Sequence, residues 1–356
     1  MITKADRILG CLLGGAAGDA LGYPVEFYTE RNITEDFGDD GITAFLTGQT
    51  PAVSDDTQMT AFTANSVLIS AVCGGGQDQA AARFRRDLSA SYREWYLTQT
   101  GERPGSGFRD WIMQEPRLFV RRAPGNTCMS ACAGGAAGTP DNPINGSAGC
   151  GGVMRAAPVG LYFDPAQITM QTVVRLGAEC GAVTHGHPRG WLPSAVLAGA
   201  VAQLTHAGGS ITEAIRAAIA AAEAEFPGQK AAVLDLKGRL EQAEALAQSD
   251  TPVLEAIHAL GEGWVGDEAL AISACCAIRF EDDFAAGIIA AVNHRGDSDS
   301  TGAIAGNLLG ARRGATGIPD KFRSGTDLHA VLVTLAEDLA AADDPSAPQL
   351  EKYRRA

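Results

Sequence analysis

Apolar positions along this chain recur at three- and four-residue steps, the spacing that gathers side chains on one face of a helix. Leu328, Val331, Leu332, Leu335 and Leu339 follow it, as do Ile211, Ile215 and Ile219 after a Gly-Gly-Ser start. Across residues 231–247 charged and alanine positions alternate around a thin seam of Leu234, Leu240 and Leu246, which puts Glu241 and Glu244 on a solvated face. Strand signals are weak; residues 42–46 are the best candidate, and a short one. Gly, Pro, Asn and Asp cluster at 22–56, 101–107 and 123–152 and predict loops there, while the Pro- and Asp-rich segment 343–356 predicts a frayed tail. No internal repeat or long linker breaks the pattern. It predicts one all-α domain over residues 1–342.

The first helical run, Leu9 to Gly22, is rich in glycine. No GxxxxGK[ST] is present and no strand precedes it, so a phosphate loop is not indicated. Gly10, Gly14 and Gly18 instead fall at helical spacing and predict a close helix crossing, with Asp19 capping or bracing the following turn.

Composition sharpens this reading. Hydrophobic residues make up 46% of 356 residues but aromatics only 6%, which favours closely packed helices over a β-rich sheet. A net charge of -14 argues against a broad nucleic-acid or anionic-membrane surface, without excluding a local anion pocket. The eight cysteines form no CxxC pair and read as reduced core thiols. With no signal-peptide pattern at the N-terminus and every apolar run interrupted by polar residues, the expectation is a cytoplasmic, soluble monomer.

Candidate chemistry lies in two acidic clusters, each opening an apolar helix: Ser54-Asp55-Asp56-Thr57 and Asp297-Ser298-Asp299-Ser300-Thr301. Carboxylates and hydroxyls are hard oxygen donors of the kind that Mg²⁺, Mn²⁺ or Ca²⁺ select. The first cluster alone is equally a helix cap, with Ser54 capping and two aspartates at the positive end of the dipole. In the second, Asp297 and Asp299 can face one side of a turn with Ser300 beside them. Capping needs one acceptor, so a carboxylate is left over. Two such clusters in one domain point to a bridged pair of divalent ions that activates a water.

Other positions leave alternatives open. Glu26, a lone acid among apolar loop residues, suits proton transfer if buried and is inert if exposed. The glycine-rich stretch Asn145 to Arg155 opens a helix at about Val153, and its amides can bind an anion or form an ordinary loop. Arg155 is assigned to an internal carboxylate rather than to phosphate. His185, in Thr184-His185-Gly186-His187-Pro188, is a ligand contact or a cap, and two histidines do not make a zinc site.

Taken in order, Gly18-Asp19-Ala20-Leu21-Gly22 with Glu26, Ser54-Asp55-Asp56-Thr57, Gly149-Cys150-Gly151-Gly152-Val153-Met154-Arg155, Thr184-His185 and Gly296-Asp297-Ser298-Asp299-Ser300-Thr301 resemble the ADP-ribosylglycohydrolase family, the relatives of the dinitrogenase reductase-activating glycohydrolase. The resemblance spans about Ile8 to Leu339. It implies a compact orthogonal helical bundle with two Mg²⁺ (or Mn²⁺) in a central cleft, ligated by Ser54, Asp55 and Asp56 from one side and by Asp297, Asp299 and Ser300 from the other. Glu26, Asp56 and Asp299 are the implied catalytic groups, with Glu26 on a mobile flap. Ser147, Gly149, Cys150, Gly151, Gly152 and Met154 are implied to cradle a diphosphate, and His185 to contact the nucleotide. The implied substrate is an ADP-ribosylated protein or another ADP-ribosyl conjugate. Two departures are visible: Ser298 and Ser300 replace threonines of some relatives, and Ala148 and Cys150 stand where some have an aromatic and an asparagine, leaving no adenine-stacking ring at that position. The alternatives are a catalytically silent ADP-ribose-binding relative and an Mg²⁺-dependent all-α isoprenoid synthase. The latter wants DDxxD where this chain has Asp55-Asp56-Thr57-Gln58-Met59.

Overall fold

The computed structural model describes residues 2–102, 108–344 and 346–354. Its axis is the helix Lys4–Gly22, started by Thr3, whose hydroxyl accepts from the Asp6 amide. This helix runs antiparallel against Ser298–Arg313 in backbone-to-backbone contact. A Cβ placed on Gly10, Gly14 or Gly18 would lie 2.4, 2.3 or 1.9 Å from the carbonyl oxygen of Gly310, Gly306 or Gly302, and one on Gly22 would lie 2.3 Å from that of Ser298. Glycine at every fourth residue of both helices therefore sets how near the axes approach. The predicted crossing is confirmed, and it draws the N-terminal third of the chain onto the second acidic cluster.

The helix Asp55–Gly74 is buried along nearly its whole length and packs on Gln77–Thr100. The remaining helices close around this centre, and the predicted all-α single domain is what forms. Among the described residues there is no β-strand, only an isolated bridge between Gly149 and Val265.

Several local expectations are corrected. Residues 42–46 are not a strand, because the Asn293 side chain takes the backbone bonds a partner strand would supply: Ile42 N–H donates to Asn293 Oδ1 at 2.8 Å, and Asn293 Nδ2 donates to Ile42 O at 3.0 Å. The loop expected at 22–56 contains a helix, Glu30–Phe37, with a Thr29/Asn32 capping box. That at 123–152 contains Asn126–Ala133, and most of that at 101–107 lies outside the described residues. The apolar seam of Lys230–Ala247 is Val233, Leu236, Leu240, Ala243 and Ala247, whereas Leu234 is exposed. Glu244 is not solvated but ion-paired with Arg216. No helix begins at Val153; a 3₁₀ turn at Cys150–Gly152 precedes the helix Ala157–Tyr162. The tail is not frayed through residues 348–354, because Leu350 and Tyr353 are buried and the Tyr353 hydroxyl donates to Asp338 at 2.6 Å. Finally, Lys4–Val25 is by length and composition apolar enough to cross a membrane, contrary to expectation. Its apolar surface is used instead inside the domain, where 83% of the hydrophobic window is buried.

Candidate active site

Why the aspartates at 55 and 56 are free for chemistry follows from who caps their helix. Ser54 Oγ accepts from the Asp56 amide at 3.2 Å, and the buried Asp19 carboxylate accepts from the amides of Ser54 (2.9 Å) and Thr57 (3.0 Å) and from the Thr57 hydroxyl. Asp19 thus braces the helix start from the neighbouring helix, and the N-terminal amides are satisfied without Asp55 or Asp56. Both line a cleft of about 200 Å³ together with Glu26, Asp297, Asp299 and Ser300. Ser54 does not line it; its hydroxyl sits behind, bonded to the Asp56 amide and to Asp299.

The second cluster is shaped from behind in the same way. Gly296 adopts φ +126°, and a Cβ there would lie 2.0 Å from Glu262 O, so only glycine lets the chain turn at this point. The Asp297 amide then donates to Glu262 O at 2.9 Å. Thr301 Oγ1 meets His294 Nε2 at 3.0 Å and Ala291 O at 2.7 Å, while Ser298 Oγ donates to His294 O. These inward hydroxyls anchor the turn, and Asp297, Asp299 and Ser300 face the cleft.

Glu26 enters the same space. Glu26, Asp297 and Asp299 each offer an oxygen within 4.8 Å of one another. Burial, then the charges of Asp299, Asp297 and Asp55, push the Glu26 carboxyl up to about 10. Burial with the Asp299 charge raises Asp19 to about 7, and the same causes hold Asp55 and Asp56 well above the usual carboxylate range. Asp297 is raised likewise, and Asp299 is raised by burial. Buried oxygens of Glu26, Asp56 and Asp297 have no hydrogen-bond partner. Crowded, orphaned, hard-oxygen donors are what divalent cations satisfy, so this residue set fits such ions.

On the opposite wall Gly149, Cys150, Gly151, Met154 and His185 line the cleft. Of the loop residues expected to bind substrate, Ser147 and Gly152 do not. Ser147 Oγ bonds Thr127 Oγ1 at 2.9 Å, and Gly152 packs where a Cβ would meet Gly190 O at 2.5 Å. The Cys150 amide is committed to Trp264 O at 3.2 Å. Burial, then the charge of Asp297, raises the Cys150 thiol well above its usual range, so it stays protonated.

His185 has its state set by a chain of hydrogen bonds. The fully buried Arg155 does not pair with a carboxylate as expected. It donates to Thr184 Oγ1, Cys180 O and Cys128 Sγ, and lies 4.6 Å over the Tyr92 ring. Thr184 Oγ1 accepts from Arg155 and lies 2.8 Å from His185 Nδ1 and 3.4 Å from Gly181 O. Burial, then Arg155, lowers the imidazole to about 3. His185 is therefore neutral, and its Nε2 edge lies against Gly149 and Gly151.

Sequence reasoning missed Trp264, Phe27 and the cleft residues Asn126, Thr127 and Cys128. The run Pro-Gly-Asn-Thr ahead of a helical pattern was a usable signal for residues 124–127, but Trp264 offered none.

An all-α domain holds an aspartate-lined cleft between two helix starts, faced by a glycine loop, with a donor set that fits divalent cations. The sequence profile of the ADP-ribosylglycohydrolase family matches residues 1–349, and the chain belongs to that family, whose enzymes hydrolyse glycosidic bonds of ADP-ribose and depend on divalent ions. It is similar to the ADP-ribosyl-[dinitrogen reductase] glycohydrolase of Rhodospirillum rubrum, at 26% identity over 91% of each chain. It is also similar to an uncharacterised protein of Archaeoglobus fulgidus, at 26% identity over 94% of this chain and 96% of the relative. A solved ADP-ribosylglycohydrolase-related protein complex shares the fold, with a TM-score of 0.61 and 22% identity over 96% of this chain and 100% of that one. Membership sets aside the isoprenoid-synthase alternative.

Proposed function

We propose that this protein, with Mg²⁺ (or Mn²⁺) bound, hydrolyses the bond between the anomeric carbon of ADP-ribose and an acceptor, and so reverses ADP-ribosylation. The observation that carries this reading is the convergence of Glu26, Asp297 and Asp299, buried and short of partners, beside Asp55 and Asp56. The Rhodospirillum relative is named for an ADP-ribosylated protein, and we infer a protein-linked ADP-ribose here too. All four cluster aspartates are present, which favours an active enzyme over a silent binder. Eight free thiols are in keeping with a reducing, cytoplasmic setting.

Asp55, Asp56, Asp297, Asp299 and Ser300 are the groups to hold a pair of ions. When bound, such ions neutralise the cluster and lower the pKa of a coordinated water. Glycosidic cleavage passes through an oxocarbenium-like state, which carboxylates beside the anomeric carbon stabilise. Glu26 is the group to handle the proton: held protonated by burial and by its neighbours' charge, it moves toward a transferable range once that charge is offset. On the other wall, the neutral His185 and the backbone around Gly151 meet the anionic diphosphate without adding a titrating group.

Incubation with arginine-, serine- and nucleobase-linked ADP-ribose, each with Mg²⁺ and with EDTA, tests the reading. ADP-ribose release from at least one substrate, only with metal, is the expected result. No release from any, together with no thermal stabilisation by millimolar ADP-ribose plus Mg²⁺, refutes it.

A further inference from the structure

We propose that Phe27 and Trp264 form a latch that positions Glu26 in the cleft; this rests on the reading of Glu26 given above. Their rings stack at 5.8 Å between centroids and 16° between planes, although Phe27 is 75% exposed and Trp264 40%. Glu26 and Phe27 are neighbours in a tight turn closed by the Tyr28 amide on Val25 O at 2.9 Å. Adjacent side chains diverge there: Glu26 turns inward and is 8% exposed, while Phe27 turns outward onto Trp264.

Trp264 belongs to the wall opposite. Its carbonyl accepts the Cys150 amide, and Val265 is bridged to Gly149. Gly263, at φ +88°, lies so close to the second cluster that a Cβ would be 3.2 Å from Asp297 Cβ and 3.1 Å from Thr301 Cγ2. The indole is thus fixed to both the glycine loop and the metal motif, and the stack ties the Glu26 turn to them.

Such a tie is needed. Glu26 Oε2 is buried without a hydrogen-bond partner, and its carboxyl faces Asp299, Asp297, Asp55 and Asp19. Without cations, its own end of the turn has nothing polar to hold it in place. The stack holds Glu26 beside Asp297 and Asp299. Both aromatics are positioning residues.

Amide exchange of residues 25–28, read by mass spectrometry on the metal-free protein, measures the latch directly. Phe27→Ala and Trp264→Ala are expected to speed it about 3- to 10-fold, the range an aromatic pair sets, and Trp264→Phe to restore it. Titration calorimetry with Mn²⁺ alone then asks what the latch holds. Glu26 also offers an oxygen to the cation donors Asp297 and Asp299, so Phe27→Ala should weaken Mn²⁺ binding in the wild-type background and have no further effect on Glu26→Gln. Unchanged exchange in both alanine variants overturns the proposal, as does an equal loss of Mn²⁺ affinity with and without Glu26. Weaker ADP-ribose binding with unchanged exchange would make Trp264 a wall for the ligand instead. Neither readout uses substrate, so a failure of the hydrolase reading shows as absent turnover and is distinguishable from a failure of the latch.

Discussion

The glycine contact between the helices Lys4–Gly22 and Ser298–Arg313 is a sharp target for perturbation, because Gly18 stands one residue before Asp19. In Gly18→Ala the new methyl would lie 1.9 Å from Gly302 O, where an ordinary contact needs 3.4 Å, so the two backbones must part locally by about 1.5 Å. No side chain can give way, since the obstacle is a helix carbonyl. Overpacking costs about 1–3 kcal/mol, and a backbone-on-backbone clash belongs at or beyond the top of that range. Gaps of 0.5–1 Å opened along the rest of the seam forfeit about a quarter to a half of each contact's attraction. Alanine returns about 1 kcal/mol through its better helix propensity. The net expectation is a loss of about 2 kcal/mol or more, read as a lower urea midpoint by circular dichroism, with weaker Mg²⁺ binding because Asp19 and the second cluster move apart. Gly238→Ala provides the control with opposite sign: Gly238 is exposed in mid-helix, has nothing within 4 Å of a Cβ, and should gain about 0.5–1 kcal/mol. If Gly18→Ala unfolds at the wild-type midpoint while Gly238→Ala shifts upward, the close crossing does not hold the site together as argued.

Three further outcomes are expected. Asp299→Asn removes one of several buried like charges, so it should raise the thermal midpoint in EDTA, abolish stabilisation by Mg²⁺, and lower turnover by about 1,000-fold or more; a lower midpoint in EDTA would contradict the crowding of the cluster. Thr184→Val interrupts the link from Arg155 to His185, and loss of one such bond should weaken ADP-ribose binding by about 10-fold, with Mg²⁺ affinity intact and Thr184→Ser restoring it. Asp110 is buried beside Glu94 and is raised from the model-compound value of 3.8 to about 7, mainly by burial. Because its folded pKa lies above the unfolded one, its contribution to stability is complete below about pH 4 and is lost as pH rises through 7. At saturating Mg²⁺, Asp110→Asn should remove on the order of 2–4 kcal/mol of that decline, and an unchanged pH profile of urea unfolding would refute the assignment.

What was legible in the sequence is what local spacing encodes. Gly10, Gly14 and Gly18 announce a close helix contact because four-residue steps return to one face, and the surplus aspartates at 297 and 299 announce a cleft-facing cluster because a cap needs only one acceptor. Ser54 shows where such reasoning stops: the same hydroxyl satisfies a cap or faces a cleft, and in the fold it accepts from the Asp56 amide and does not line the cleft. Arg155 is a stronger case, since its partners come from residues 128, 180 and 184, and none is the carboxylate that its charge suggested. Tail and strand expectations missed for one reason, a long-range partner: Asp338 for Tyr353 and Asn293 for Ile42. Phe27 and Trp264 meet across 237 positions through a loop pairing at Gly149 and Val265 that no periodicity carries. The cleft-facing acidic groups were thus readable because they lie on helix starts, which have local grammar. The aromatic pair was not, because its meaning arises only when two loops are closed onto the same cleft.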